Sequence, residues 1–134
     1  MVVKIIIVTS LGVTVYIENN SIIDTINYKP DDLKIIFDRN PKAELLLDIA
    51  HIDSYEHLKE IINIKYPKCL HIADKHFSAK HEHLPIGEGD LDFELIFSQH
   101  LSNLEGRIIL EVIGDNAVIT NSKDKILKAI LSAK

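Results

Sequence analysis

Four short apolar runs in the chain each end in a group that can hold a cation or move a proton. They are Val13-Thr14-Val15-Tyr16-Ile17-Glu18, Glu44-Leu45-Leu46-Leu47-Asp48, Cys69-Leu70-His71 and Ile108-Ile109-Leu110-Glu111. The donors are two glutamates, one aspartate and one imidazole. Such a mostly oxygen set suits a hard divalent cation: Mn²⁺, Mg²⁺ or Co²⁺, with Zn²⁺ also admissible. Carboxylates at such a centre can also act as acid and base. Two further spacings add polar groups. Asp48-Ile49-Ala50-His51 sets an imidazole three residues after an acid, and His71-Ile72-Ala73-Asp74 inverts the order. Each pair can put two polar side chains into one mouth.

The elements that must position these groups are legible in the same runs. A continuous apolar run of this length reads as a strand buried on both faces, as parallel strands under helices are. The carboxyl ends of such strands form the mouth where ligands bind in barrels and open α/β sheets. Strands are expected near residues 13–18, 44–48, 68–72 and 107–111. Between them lie amphipathic stretches. Pro30 suits a first helical position ahead of Leu33, Ile36 and Phe37. Asp53 and Glu56 fit a capping box ahead of Leu58, Ile61 and Ile62. Gly89-Asp90 precedes the stripe Phe93, Ile96, Phe97, Leu101; Ser122 is the expected cap of a last helix turning Ile126, Leu127, Ile130 and Leu131 inward. Alternating strands and helices predict βα units, a parallel sheet and right-handed crossovers.

The longest connection, Asp74 to Asp90, carries Lys75, His76, His81, Glu82, His83 and the segment Leu84-Pro85-Ile86-Gly87-Glu88-Gly89. A long loop at the strand-end side is an expected active-site loop. Residues 1–12 read either as the first arm of a hairpin turning at Leu11-Gly12 or as a helix.

Composition sets outer bounds. The 134 residues suffice for one domain and one core. A formal charge of −5 with no Lys/Arg block argues against nucleic acid as the main partner. Cys69 is the one cysteine, so no intrachain disulfide forms, and a cytoplasmic setting is expected. Val2–Val8 is apolar but too short to span a bilayer, so no membrane role is expected.

The strings His71-Ile-Ala-Asp74, His83-Leu-Pro-Ile-Gly-Glu-Gly-Asp90-Leu-Asp92-Phe93 and Ile109-Leu-Glu111 resemble the xylose-isomerase-like TIM-barrel superfamily. Its members include sugar isomerases, sugar 3-epimerases and abasic-site nucleases of the endonuclease IV type. Tyr16-Ile-Glu18-Asn19 and Leu47-Asp48-Ile-Ala-His51 fit the preceding two strand ends. The resemblance covers residues 12–134. It implies that Glu18, Asp48, His71 and Glu111 are metal ligands, and that Glu18 and Glu111 also move the proton on opposite faces of the substrate. It implies substrate contacts from His51, with Asp74 orienting hydroxyls, His83 beside them, and Glu88 in a loop shaping the mouth. His83 and His51 also match nuclease metal-ligand positions, whereas His81 stands where the nucleases carry an aspartate. A complete barrel has eight βα units and about 250 residues. The match is to the last four, so the expected fold is a half (β/α) barrel, one domain over 1–134 with its four units in 13–134.

The implied activity is metal-dependent isomerisation or epimerisation of a small sugar or polyol. The alternatives are a non-catalytic half-barrel that serves as an assembly module, and an abasic-site nuclease. A half-barrel leaves two open edges, which predicts a homodimer that covers them. Val15, Ile17, Leu45, Leu47 and Leu110 are the expected apolar contacts across that closure.

Overall fold

The structure, a computed structural model, describes residues 11–134. The expectation for residues 1–12 lies outside that range except at Leu11-Gly12, which form a turn, with Gly12 at φ +77°. Four strands follow: β1 (Tyr16–Glu18), β2 (Glu44–Asp48), β3 (Cys69–Ile72) and β4 (Arg107–Leu110). They form one sheet in the order β1-β2-β3-β4, every pair parallel. The helices are α1 (Pro30–Arg39), α2 (Tyr55–Ile64), the short α3 (Phe93–Leu95) running into a π turn over Ile96–His100, and α4 (Asn116–Ser132). The chain is a half (β/α) barrel of four units.

The apolar stripes explain the helix layer. Leu33 and Phe37 of α1, Leu58 and Ile61 of α2, and Phe93, Ile96, Phe97 and Leu101 around α3 are all buried. They pack in one core with Leu45, Leu47, Leu70 and Ile72. Alternation along each strand sends the intervening residues to the opposite face. That open face carries Tyr16, Glu18, Leu46, Asp48, Cys69, His71, Ile109 and Glu111. The expected closure contacts are therefore corrected. Leu45 and Leu47 are fully buried, and Val15, Ile17 and Leu110 pack against the core under the helices. Tyr16, Leu46 and Ile109 hold the open positions instead, because the parity of the runs is one residue off the expectation.

Two helix caps also differ. Ser54, not Asp53, caps α2 by accepting the His57 N–H at 3.1 Å. Asp53 instead accepts a short hydrogen bond from the Tyr28 hydroxyl, which with burial pushes that phenol up to about 12. Asp115 caps α4, accepting the Val118 N–H at 3.0 Å, so the helix starts six residues before Ser122. Ser122 is buried mid-helix and accepts from the Ile86 N–H at 3.2 Å. The buried stripe of α4 is Ser122, Ile126 and Ala129, while Leu127 and Leu131 face solvent.

Candidate metal centre

Parity and stagger bring the strand-end donors together. Glu18 faces Leu46 across the β1–β2 ladder, Asp48 pairs with His71, and His71 pairs with Ile109, two residues before Glu111. From strand to strand the donors thus climb by two residues, none, and two. Strands that close into a barrel tilt, so side chains at one height are staggered in register. Every step is even, so all four side chains share the open face.

The two glutamates approach from opposite edges of the sheet. His71 Nδ1 lies 2.9 Å from Glu111 Oε1 and 3.4 Å from Glu18 Oε1. His51 Nε2 is 3.4 Å from Asp48 Oδ2, and His83 Nε2 is 3.8 Å from the same oxygen. His83 Nδ1 sits 3.6 Å from Glu111 Oε2. Glu18, Asp48 and His51 offer ligand atoms within 4.8 Å of one another, as do Asp48, His83 and Glu111. Glu18 and Glu111 are about one-third exposed, whereas Asp48 is fully buried.

Asp48 is locked from behind by a residue to which the sequence assigned no role. Asn19 is fully buried, and its side chain both accepts the Asp48 N–H at 2.7 Å and donates to the Asp48 carbonyl at 3.0 Å. Its own carbonyl accepts His51 Nδ1–H at 2.8 Å. Its position directly after Glu18 at a strand end was the available signal. Asp48 Oδ1 accepts the Ala50 N–H at 2.8 Å. Oδ2, like His71 Nδ1, is buried without a hydrogen bond. Burial pushes the Asp48 carboxyl up to about 7. His83 and the Ala50 N–H oppose the rise, and the nearby Glu18 and Glu111 reinforce it.

This donor set fits a divalent cation. Asp48 stands within ligand distance of Glu18 in one group and of Glu111 in another, two buried donor atoms there lack hydrogen bonds, and the 2.9 Å approach of His71 to Glu111 lacks hydrogen-bond geometry. Buried polar atoms left without partners are costly unless something satisfies them. Beside the donors opens a cleft of about 610 Å³ lined by His51, His81, Glu82, His83, Glu111 and Ile113.

The remaining expected residues separate. His51 and His83 join the cluster, as above. Asp74 does a different job from the one its spacing suggests. Its buried carboxylate accepts four backbone N–H groups, from Lys75, Gly87, Gly89 and Leu91, at 2.8–3.2 Å. With every acceptor site used, it ties the 84–91 loop to the end of β3 and has none left for a hydroxyl. Glu88 is exposed on that loop, and among the described residues no side-chain hydrogen bond or ion pair joins it to the cluster. His81, which stands where the nucleases carry an aspartate, lies against it, its ring centroid 5.2 Å from those of His51 and His83. Lys75 is buried with its Nζ on the Ile52 carbonyl at 3.0 Å, and burial lowers its pKa.

Fold and site define a class: a parallel βα half-barrel with carboxylates and imidazoles gathered at its carboxyl-end mouth. Over residues 5–133 the chain matches the family described as xylose isomerase-like TIM barrel, and it belongs to that family. Three solved structures share the fold. A D-tagatose 3-epimerase-like protein aligns with TM-score 0.79 and 20% identity, over 96% of this chain and 51% of its own. A xylose isomerase-like TIM barrel protein from Mycobacterium smegmatis, in complex with magnesium, aligns with TM-score 0.70 and 19% identity, over 93% and 46%. A putative xylose isomerase from Rhodospirillum rubrum gives 0.67 and 13%, over 94% and 49%. The chain thus spans about half the length of these proteins. No curated protein sequence matches it at a significant level. No helix among the described residues is long and apolar enough to cross a membrane.

Proposed function

We propose that the chain carries the proton-transfer centre of a metal-dependent sugar isomerase or epimerase. The observation that carries this reading is the convergence of Glu18 and Glu111, from opposite sheet edges, on one nitrogen of His71. Glu18, Asp48, His71 and Glu111 would hold the cation: Mn²⁺, Mg²⁺ or Co²⁺, with Zn²⁺ admissible. When bound there, it would draw adjacent substrate oxygens and offset the charge of the ene-diolate. The magnesium complex of the M. smegmatis relative supports a hard divalent ion.

The protein's own groups supply the rest. One glutamate removes the proton from the carbon beside the carbonyl, and the other returns one from the opposite side. Their partial exposure lets both reach a substrate in the adjoining cleft. His51 faces that cleft with its ring fixed by Asn19, and would orient a hydroxyl. The substrate class follows the D-tagatose 3-epimerase-like relative: a small ketose or related polyol. The reading includes a homodimer in which two half-barrels cover each other's open face.

The test is exchange of substrate hydrogen with solvent. Chain loaded with Mn²⁺ is incubated in D₂O with D-tagatose and D-fructose, and deuterium at the carbon beside the carbonyl is followed by NMR. Incorporation that Glu111→Gln abolishes is the expected result. A metal-loaded, folded protein that exchanges nothing favours a second reading, a non-catalytic half-barrel. That alternative draws on the fact that the chain spans only about half of its structural neighbours.

A further inference from the structure

We propose that the mouth is a composite of two copies of the chain: the loop 20–27 of one half-barrel closes the cleft of the other and supplies Ile22, Ile23 and Ile26 as its missing wall. The proposal rests on the homodimer of the reading above and deepens it, by making each site incomplete without its partner.

The cleft is walled on one side only. Its lining comes from the ends of β2 and β4 and from residues 81–83. The last lining residue beyond Glu111 is Ile113, which is 82% exposed. Among the described residues no strand follows β4 in the sheet, so that side of the cleft ends at Ile113. Water entering there weakens the electrostatic interactions of the carboxylates beside it.

The loop after β1 has the opposite character. It is tied to itself: the Asn20 N–H donates to the Asn27 carbonyl at 2.9 Å, the Asn20 side chain donates to the Ile26 carbonyl at 2.9 Å, and the Asp24 N–H donates to the Ser21 carbonyl at 3.0 Å. Asn27 turns the chain back at φ +60°, a left-handed conformation that asparagine tolerates. At its base Asn19 and Ser21 are fully buried. The loop is therefore held in one shape, yet it presents Ile22, Ile23 and Ile26 to solvent. Turn chemistry calls for Asn, Asp, Ser and Gly, not for isoleucine. Grouped apolar side chains on such a loop mark a contact surface.

Symmetry brings the bare wall and the apolar loop together. Four parallel strands are half of an eight-stranded barrel. A two-fold axis along the barrel sets β1 of one copy beside β4 of the other, with both strands ending at the same mouth. The loop that follows β1 then adjoins the segment that follows β4, where Ile113 stands. The helix layer fits the same seam. Asp31 and Lys34 of α1 line a cleft with Glu60 and Asn63 of α2. At ~100° per residue, the flank of α1 turned away from α2 carries Asp32, Ile35 and Ile36. On α4, Lys125 reaches the Ile86 carbonyl of the neighbouring loop at 2.7 Å. The flank turned away from that loop carries Ile119, Lys123, Leu127 and Leu131, all exposed. The two-fold lays these flanks together, apolar against apolar, with an acid on one and a lysine on the other.

Cross-linking between copies tests the proposal. Ile23→Cys and Ile113→Cys are made as separate chains, mixed until subunits exchange, and treated with a short bis-maleimide. Both positions are exposed, so both variants keep the fold, which circular dichroism checks. The parent chain is the blank, because its one cysteine, Cys69, is buried. The expected product is a covalent dimer with one chain of each kind, in large excess over any product from either variant alone. Leu127→Asp in both chains, at the helix seam, should remove it; a product that survives comes from random collision and counts against the proposal. Light scattering separates the failures. A dimer that gives no mixed product overturns the composite mouth and leaves the homodimer standing, whereas a monomeric parent overturns both. Absence of deuterium exchange would sink the sugar chemistry and leave the cross-link unaffected.

Discussion

Asp48 shares one ligand group with Glu18 and another with Glu111, and of the three carboxylates it is the one sealed from water. Burial lifts its pKa from 3.8 to about 7. Between those values the folded protein holds a proton that the unfolded chain releases. Asp48 therefore stabilises the metal-free fold at low pH, and this contribution is lost as pH rises through the folded value near 7. Thermal melts of chelator-treated protein from pH 5 to 8 should show Tm falling, and added Mn²⁺ should restore more at pH 8 than at pH 5, because ligation needs the deprotonated group. Asp48→Asn should raise the metal-free Tm at pH 8 by several degrees, at roughly 4 °C per kcal/mol, and abolish the response to Mn²⁺. A variant less stable than the parent without metal would contradict this account. Glu111→Gln removes a ligand charge and a proton carrier in one change. Calorimetry should find Mn²⁺ binding weakened by more than the ~10–100-fold that loss of an outer-shell partner costs, with exchange lost. Which residues gather was readable because each donor ends an apolar run, so strand parity and strand end place it. Asn19 was not, because its value lies in pairing with a backbone 29 residues away.

At the scale of elements, the loop from Ala73 to Leu91 depends on a single carboxylate. Four backbone amides converge on Asp74, and a bridge joins Asp74 to Leu84. Bonds to a charged acceptor are worth ~1.5–3 kcal/mol each, and amides left buried without partners add a penalty. Asp74→Ala should therefore destabilise the fold by about 3–5 kcal/mol. Urea denaturation would measure this, and amide exchange should localise the loss to Gly87, Gly89 and Leu91. A change under 1 kcal/mol would show that the loop holds without it. Gly89 belongs to the same device: a Cβ there would stand 2.4 Å from both Asp74 Oδ1 and the Lys75 carbonyl. The repeating βα units were legible because strand-like apolar runs alternate with apolar stripes at helical spacing, a pattern that packs helices on a parallel sheet. The caps were not. Ser54 and Asp53 are adjacent and both chemically fit, and only the tertiary partner Tyr28 decides between them. Ser122 has a good capping side chain, yet Asp115 starts α4 earlier and leaves Ser122 to bind the loop.

At the scale of the whole molecule, the sheet has helices on one face and an open face on the other. Tyr16 and Ile109 lie on that face at 38% and 45% exposure, and Val13 and Ile113 beside the strand ends are more exposed still. The strands β1 and β4 each keep one unpaired edge among the described residues. Unpaired edges and contiguous apolar surface favour association. A parallel half-barrel has a specific way to meet both needs. A half-turn about the barrel axis carries it onto the missing half, with β4 of one copy beside and parallel to β1 of the other. The same rotation keeps both donor clusters at one mouth. Covering ~400 Å² of apolar surface is worth roughly 10 kcal/mol before the cost of association, which is itself ~4–15 kcal/mol, so the closure needs the strand pairing as well as the apolar contact. Ile109→Lys tests this. The side chain is already half exposed, so a lysine there leaves the fold intact, but closure would bury its charge. Light scattering at low micromolar concentration should give a dimer for the parent chain and a monomer for the variant, with superimposable circular dichroism. A parent chain that is a stable monomer under those conditions would reject the closure, since nothing would then be covering the face that Ile109 occupies.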